Sequence, residues 1–416
     1  MDKKLNSDIF NYFLSIVIPG AVNFFSIPLI KWFLGAENYG EYALWYGAFF
    51  IIIATTGGWL NISIIRFKPE FSDETYFYKH LAKIIGGLSL ICSIITFFIV
   101  AWISKNLLFS GIYALALIGC IIQNCFIAIS QSNFLSRVTV FSEALRMLTF
   151  LAAYTTLLSL GKQFFLEKLF VALLISYMAS ILFLKSKNKI SFLLLKYKKV
   201  DQPFPYTSFL KFGTPLVLWY LFAGIIPYTD KLLIAKKFGH EVQGNYQALF
   251  DLMYRSVGVL FGPVLMATFP YLSQSYKDGN ISKILTLIKK TVMIEAAIML
   301  GCLIIYFLGG SILVLKLLNI KNSPDYYWAG ALILSVAFIW QMAMMLHKPF
   351  ELMKKTQILL YNNFLALIAT MVPLSIIYYY NFGFIAYPIG ILCGAVCYAA
   401  LCVFQVKSAI RKGTFL

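Results

Sequence analysis

Two oppositely charged pairs lie inside long apolar stretches of this sequence, at the spacing of one helical turn. Asp251 precedes Arg255 by four residues and Glu143 precedes Arg146 by three, so the members of each pair share a helix face. A charge in such surroundings is costly, which indicates function unless it only pairs with its neighbour. Arginine suits two-point contact with phosphate oxygens. The pairs indicate either an arginine-lined wall for an anionic substrate or ion pairs that merely hold helices together. We favour the wall, because apolar side chains could replace a purely structural pair at little cost.

Other ionisable side chains within or beside the apolar stretches extend the candidate site. We expect four cations to bind substrate in a cavity: Lys31, Arg66, Arg146 and Arg255. Four carboxylates are candidates for ion coupling or for charge pairing: Glu143, Asp230, Asp251 and Glu295. Two alternatives stay open, since Lys31 could extend outward to the membrane surface and Glu295 could be a hydrogen-bonded core carboxylate.

The elements that must position these residues are membrane-spanning helices. Of the 416 residues, 60% are apolar and only 12% are charged, whereas a soluble domain has about 25% charged residues. The mean hydropathy is +0.80. Apolar blocks of roughly 20 residues, the length that crosses a hydrocarbon core, alternate with short charged joints. We predict an all-α integral membrane protein with about twelve transmembrane helices, near 9–33, 40–65, 82–103, 107–131, 138–160, 164–184, 212–236, 246–269, 287–308, 326–346, 357–380 and 384–406.

The residue types that carry enzyme or metal chemistry are absent or scattered. All seven cysteines lie in apolar blocks and are predicted to be packing residues. His80, His240 and His347 lie in three separate joints, so we predict no metal site. No G-x-x-x-x-G-K-[ST] loop is present to bind ATP. We therefore predict no cofactor and no enzymatic activity.

The lysines and arginines of the joints predict the orientation. With the N-terminus inside, the inner joints hold about three times as many lysines and arginines as the outer ones, which is the asymmetry that membrane insertion requires. We predict that both termini are cytoplasmic. The formal net charge of +18 is spread over many short inner joints, so it does not indicate nucleic-acid binding.

The longest inner joint, residues 185–211, is basic and follows the sixth predicted span. It divides the chain into an N-terminal six-helix lobe at 1–184 and a C-terminal six-helix lobe at 212–416. The joint is expected to be either a short amphipathic helix on the anionic inner leaflet or a solvated linker.

One short motif occurs in both predicted halves. The stretches FLGAENYGEY and KFGHEVQGNY join spans 1 and 2 and spans 7 and 8, and both read G-x-E-x-x-G-x-Y. Because an even number of spans separates the copies, they face the same side, as in parallel repeats. Paired glycines suit tight turns between helices. We expect a structural role for Gly35, Glu37 and Gly40, and for Gly239, Glu241 and Gly244.

The motif after the first span and the stretch Tyr228–Ile234, YTDKLLI, before the second copy carry a family resemblance. The chain resembles the polysaccharide transporter branch of the multidrug/oligosaccharidyl-lipid/polysaccharide exporter superfamily, and in particular Wzx-type O-antigen and repeat-unit flippases. The resemblance implies two six-helix lobes around a central cavity that opens alternately to each side. It also suggests that Asp230 acts in structure or ion coupling.

The resemblance implies a bacterial inner-membrane flippase. Its expected substrate is an undecaprenyl-diphosphate-linked oligosaccharide for O-antigen, lipopolysaccharide or a related surface polysaccharide. Its expected partners are membrane lipid, the polysaccharide polymerase and the chain-length regulator. The alternative is an ion-coupled multidrug or cation antiporter of the same superfamily. Such an antiporter predicts a cavity dominated by carboxylates, whereas a lipid-diphosphate carrier predicts arginines.

Overall fold

The computed structural model describes residues 20, 22, 24–68, 71, 74–133, 135–161, 163–188, 204, 206–353 and 355–411. Within these ranges every regular element is a helix. The α-helices are α1 (Phe24–Leu34), α2 (Ala36–Ile53), α3 (Trp59–Phe67), α4 (Glu74–Ser104), α5 (Leu107–Ser132), α6 (Ser136–Ser159), α7 (Phe165–Asn188), α8 (Tyr206–Lys277), α9 (Ile281–Ile305), α10 (Ser311–Leu317), α11 (Pro324–Leu346), α12 (Lys348–Leu352), α13 (Thr356–Tyr379) and α14 (Tyr387–Arg411). Short π-helical segments, Ala54–Gly58 and Tyr306–Gly310, join α2 to α3 and α9 to α10.

The helices are consistent with the predicted span count. Nine stretches of the described residues are long and apolar enough to cross a membrane. One of them, Tyr206–Gly262, contains two spans, because Gly239 breaks α8 with φ 83° and ψ 171°. The helix α6 carries Glu143 and Arg146 and is too polar to be counted among the nine. The helix α1 is the described end of the first predicted span, which brings the total to twelve.

The apolar stretch that contains the ninth predicted span extends beyond the predicted end at residue 308. The stretch Ile281–Leu317 has 37 residues and includes α9, a π-helical segment and α10. Gly309 has a φ of 123°, a conformation that L side chains rarely adopt, and it turns the chain between the two helices. The apolar residues after Gly309 therefore form a separate short helix rather than a further span.

The chain divides into two compact units whose boundaries differ from the predicted lobes. Unit 1 contains Phe49–Leu221, and unit 2 contains Phe24–Ala48 together with Phe222–Leu416. In unit 1, Trp59 lies directly against Gly213, so the beginning of α8 packs with the N-terminal helices. Most of the joint 185–211 lies outside the described residues, and the six-plus-six division stays a prediction.

Unit 2 brings the two motif copies into direct contact. Gly35 and Gly239, at equivalent positions, both have left-handed φ values of 79° and 83° and turn the chain between helices. A Cβ on Gly40 would collide with the carbonyl oxygen of His240, and a Cβ on Gly244 would collide with that of Ala36. The same Cβ on Gly244 would lie 2.8 Å from the backbone nitrogen of Gly40. The contact is reciprocal, with each second glycine of the motif receiving the backbone of the other copy.

Candidate functional site

Gly239 divides α8 into a first arm before it and a second arm after it. The candidate site of unit 2 is centred on Arg255 in the second arm. Its Nη2 lies 3.3 Å from Asp251 Oδ1, one helical turn earlier, and its side chain keeps 34% of its surface exposed. The other oxygen of Asp251, Oδ2, accepts a hydrogen bond of 3.4 Å from the Tyr39 hydroxyl. In the part of the chain that the structure describes, this 3.3 Å contact is the ion pair that Arg255 makes, and its guanidinium has five N–H donors in all. The side chain of Arg255 is thus paired with one carboxylate and is still partly exposed.

A row of tyrosines on α2 lies beside this pair. Tyr39, Tyr42 and Tyr46 follow each other at helical spacing, and all three lie near Arg255. The ring centroids of Tyr42 and Tyr46 are 5.4 Å apart in a stacked arrangement, and those of Tyr39 and Tyr42 are 5.3 Å apart. Tyr39 and Tyr42 are buried, whereas Tyr46 is half-buried. The sequence prediction missed this row, although the helical spacing of its tyrosines was visible.

Asp230 and Lys231 lie in the first arm of α8 and are buried in unit 2. Asp230 Oδ2 accepts a hydrogen bond of 2.5 Å from the Tyr246 hydroxyl, and Oδ1 accepts one of 2.8 Å from the Lys231 amide. The Lys231 ammonium donates to the Pro227 carbonyl and lies 3.5 Å from the centroid of the Phe250 ring. Asp230 therefore connects the two arms of α8 through the tyrosine of the second motif copy.

The candidate residues of unit 1 form a network across three helices. Arg146 donates from Nη2 and Nε to Glu143 Oε2, at 2.8 and 3.2 Å. Gln123 on α5 donates to Glu143 Oε1 at 2.6 Å and to Ser180 on α7 at 3.2 Å. The guanidinium also lies over the Tyr177 ring at 5.7 Å. These contacts match the alternative in which the pair holds helices together.

The two arginines therefore differ in how firmly they are held. The side chain of Arg146 is 12% exposed and doubly bonded to a carboxylate that is itself tied to α5. The side chain of Arg255 is 34% exposed and has a single contact with its carboxylate. Of the two, Arg255 has the geometry that can accept an anionic ligand without dismantling a network.

The remaining candidates lie apart from Arg255. The Lys31 ammonium donates to the Leu318 carbonyl at 2.6 Å and is buried, so it binds the C-terminal end of α10 instead of extending to the surface. Arg66 is in α3, and its side chain lies outside the described part of the structure. Glu37 and Glu241 of the motif are exposed.

Glu295 in α9 is buried, and neither of its carboxylate oxygens has a hydrogen-bond partner among the residues that the structure describes. The described part of the chain thus shows no hydrogen bond in support of the alternative of a hydrogen-bonded core carboxylate, and ion coupling by Glu295 stays a prediction. Among those same residues, no three His, Cys, Asp or Glu side chains are placed to hold a metal ion. Glu295 is left as a buried ionisable group that the packing alone does not explain.

Comparisons with known proteins identify the fold. No protein-family profile and no curated protein sequence matches this chain. Among solved structures, an inward-facing conformation of a multidrug resistance MATE family transporter of the MOP superfamily is 16% identical, with a TM-score of 0.73 over 96% of this chain and 98% of that one. An outward-facing conformation of a multidrug resistance MATE family transporter is 15% identical, with a TM-score of 0.67 over 97% and 96%.

A third similar structure is a MOP superfamily transporter from Pyrococcus furiosus, for which a reverse polarity of the binding pocket suggests a different function. It is 16% identical, with a TM-score of 0.72 over 97% of this chain and 96% of that one. At such identities the likeness establishes the fold and not the substrate. The chain is a multi-pass membrane protein with the fold of MATE transporters.

Proposed function

We propose that this chain is an alternating-access flippase that moves undecaprenyl-diphosphate-linked oligosaccharides across the bacterial inner membrane. The fold supports transport, since similar structures include both inward-facing and outward-facing transporters. The observation that carries the choice of substrate is the side chain of Arg255. It is partly exposed, has one 3.3 Å contact with Asp251, and lies near the tyrosines of α2.

The chemistry of the substrate matches this arrangement at both of its polar parts. A diphosphate must lose water to cross, and a guanidinium replaces that hydration with charge-assisted hydrogen bonds. Asp251 neutralises Arg255 between cycles, and its long contact with the arginine is readily exchanged for phosphate oxygens. Sugar rings present apolar faces that pack on aromatic side chains, and the half-buried Tyr46 supplies such a surface. The polyprenyl tail stays in the bilayer.

The proposed setting is the inner membrane of a bacterium, with both termini cytoplasmic. The lysine-rich inner joints support that orientation. The product would emerge on the outer leaflet, where a polysaccharide polymerase and a chain-length regulator would consume it. The family resemblance supports these partners.

The test is transport of the glycolipid by the purified chain in lipid vesicles. We expect Arg255→Gln to lower the rate per folded protein at least tenfold, because it removes the charge that compensates the diphosphate. Arg137→Gln changes an exposed arginine in the first turn of α6 and serves as the control. Equal rates for Arg255→Gln and the wild-type chain would contradict the proposal.

A second candidate is an ion-coupled multidrug or cation antiporter. Two observations favour it: similar structures include multidrug resistance transporters, and Glu295 is a buried carboxylate without a hydrogen-bond partner in the described part of the chain. An antiporter of this kind would accumulate a cationic dye in vesicles. Asp251→Asn and Glu295→Gln would abolish that uptake while Arg255→Gln would not. Uptake with this pattern, and no glycolipid transport, would establish the second candidate in place of the first.

A further inference from the structure

Arg255 and Asp251 are the end of a longer polar stripe on α8. Gln243 and Gln247 continue the same four-residue spacing toward the second motif copy, so each side chain neighbours the next in one i, i+4 row along the second arm. From Gln243 to Arg255 the stripe is about 18 Å long at 1.5 Å per residue. The half of the stripe nearer the second motif copy is uncharged, and the half that contains Asp251 and Arg255 is charged.

Both glutamines are buried, and each has at least one amide atom without a hydrogen-bond partner in the described part of the chain. Gln243 is fully buried, and neither its amide nitrogen nor its amide oxygen has a hydrogen-bond partner within the described ranges. Gln247 is 6% exposed, and its amide oxygen is likewise unpaired there. Buried amides in folded proteins are nearly always hydrogen-bonded, so an unsatisfied pair one turn apart calls for a reason other than stability.

The first motif copy shows that the helix contact does not require these amides. Tyr39 and Ala43 occupy the positions equivalent to Gln243 and Gln247. Tyr39 uses its hydroxyl to bind Asp251, and Ala43 is a buried apolar residue. The two copies thus share their glycines and their tyrosine. They differ at the two positions that Gln243 and Gln247 occupy in the second copy.

The reciprocal glycine contact lies beside the Gln243 end of the stripe. Gln243 Oε1 lies 2.4 Å from where a Cβ on Gly40 would be, so the first motif copy packs directly against this amide. The glycine pair brings the two backbones close enough to exclude water from it. If the copies separate during transport, both glutamines gain access to solvent or to a ligand.

We propose that Gln243 and Gln247 form a sugar-binding subsite that is uncovered when Gly40 and Gly244 move apart. The inference rests on the proposed function, because it assigns the oligosaccharide of that substrate to the uncharged half of the stripe and the diphosphate to Arg255. Amide groups donate and accept at once, as sugar hydroxyls do, and they bind without the strong preference for charge that would trap the diphosphate. The ligand or water supplies the hydrogen bonds that the closed state lacks.

The test compares two lipids that differ only in their sugars: undecaprenyl diphosphate carrying a single sugar, and the same lipid carrying an oligosaccharide. Gln243→Met and Gln247→Met remove the amide from the full-length chain in vesicles, and Gln357→Met changes an exposed glutamine of α13 as the control. We expect each test variant to transport the oligosaccharide lipid roughly 3- to 10-fold more slowly, because hydrogen bonds to the distal sugars are lost. Transport of the single-sugar lipid should equal that of the wild type.

Thermal stability separates a binding role from a structural one. Replacing an unpaired buried amide by an apolar side chain should leave Tm unchanged or raise it. A lower Tm in both variants would show that the amides support the fold and would overturn the subsite. The subsite would also be overturned, with the proposed function intact, by either of two results. One is that the variants transport both lipids at the wild-type rate; the other is that they lose the same fraction of the rate for both lipids. A wild-type chain that transports neither lipid would overturn the proposed function, and the subsite with it.

Discussion

At the scale of single residues, two arginines of similar sequence context have different physical roles. Arg255 has one contact of 3.3 Å with Asp251 and keeps 34% of its side chain exposed. Arg146 has its carboxylate partner fixed by Gln123, and its ring contact with Tyr177 adds a further restraint. Removing the first should therefore affect transport, and removing the second should affect the fold.

We predict that Arg146→Gln lowers the stability of the protein by roughly 2 kcal/mol, less than the ~3–5 kcal/mol of a fully buried pair because both side chains keep some exposure. The cause is the unpaired charge left on Glu143, whose side chain is 22% exposed. The measurement is the thermal midpoint of the detergent-purified chain. The double variant Glu143→Gln, Arg146→Gln should recover part of the loss, since it removes that charge. If Arg146→Gln were as stable as the wild type, the ion pair would not contribute to stability.

At the scale of elements, the glycine contact between the motif copies determines how closely α2 and α8 approach. The atoms that a Cβ would meet at Gly40 and Gly244 include backbone carbonyls, which cannot rotate away as a side chain could. Gly35 and Gly239 have a different role, since nothing lies within 4 Å of a Cβ there and only their left-handed φ requires glycine.

We predict that Gly244→Ala destabilises unit 2 more than Gly35→Ala does. The first forces two backbones apart, whereas the second costs only the left-handed conformation of an L residue, about 1–2 kcal/mol. Gly301→Ala is the matched control, because that glycine lies within α9 with open space around it and alanine is the better helix former. Thermal midpoints of the three variants should rank Gly301→Ala highest and Gly244→Ala lowest. A Gly244→Ala variant as stable as the control would exclude the close contact.

At the scale of the whole molecule, the two compact units are not the N-terminal and C-terminal halves of the chain. Residues 24–48 belong with the C-terminal helices, and the beginning of α8 belongs with the N-terminal ones. Each of these two departures from chain order coincides with a close contact at a glycine: the backbones of the two motif copies meet at Gly40 and Gly244, and the ring of Trp59 packs against Gly213. Helix packing in membranes favours such sites, because small residues let backbones approach.

The predicted orientation in the membrane can be tested with reporter fusions to this chain. Alkaline phosphatase, which is active only outside the cytoplasm, should be inactive when fused after residue 195 or after Arg411, and active when fused after Gly161. The physical reason is the retention of lysine- and arginine-rich joints on the inner side. Activity in the opposite pattern would reverse the orientation, and with it the direction of the proposed transport.

Much of the architecture follows from the sequence because it depends on local properties. Apolar blocks of the length of a bilayer predict the helices, and the repeated glycines predict the turns at Gly35 and Gly239. Charges inside apolar blocks likewise indicate the candidate site at Arg255 and Asp251. Each of these inferences needs only neighbours along the chain, or one helical turn.

Only the tertiary structure decided what each charge touches. It placed the Tyr39 hydroxyl on Asp251, more than 200 residues away in the chain, and the Lys31 ammonium on the end of α10. It also distinguished Arg146 from Arg255, although both have a carboxylate one turn earlier in the sequence. Helical spacing determines which side chains share a face, but the partner that the face meets depends on how distant segments pack, and that information is not local.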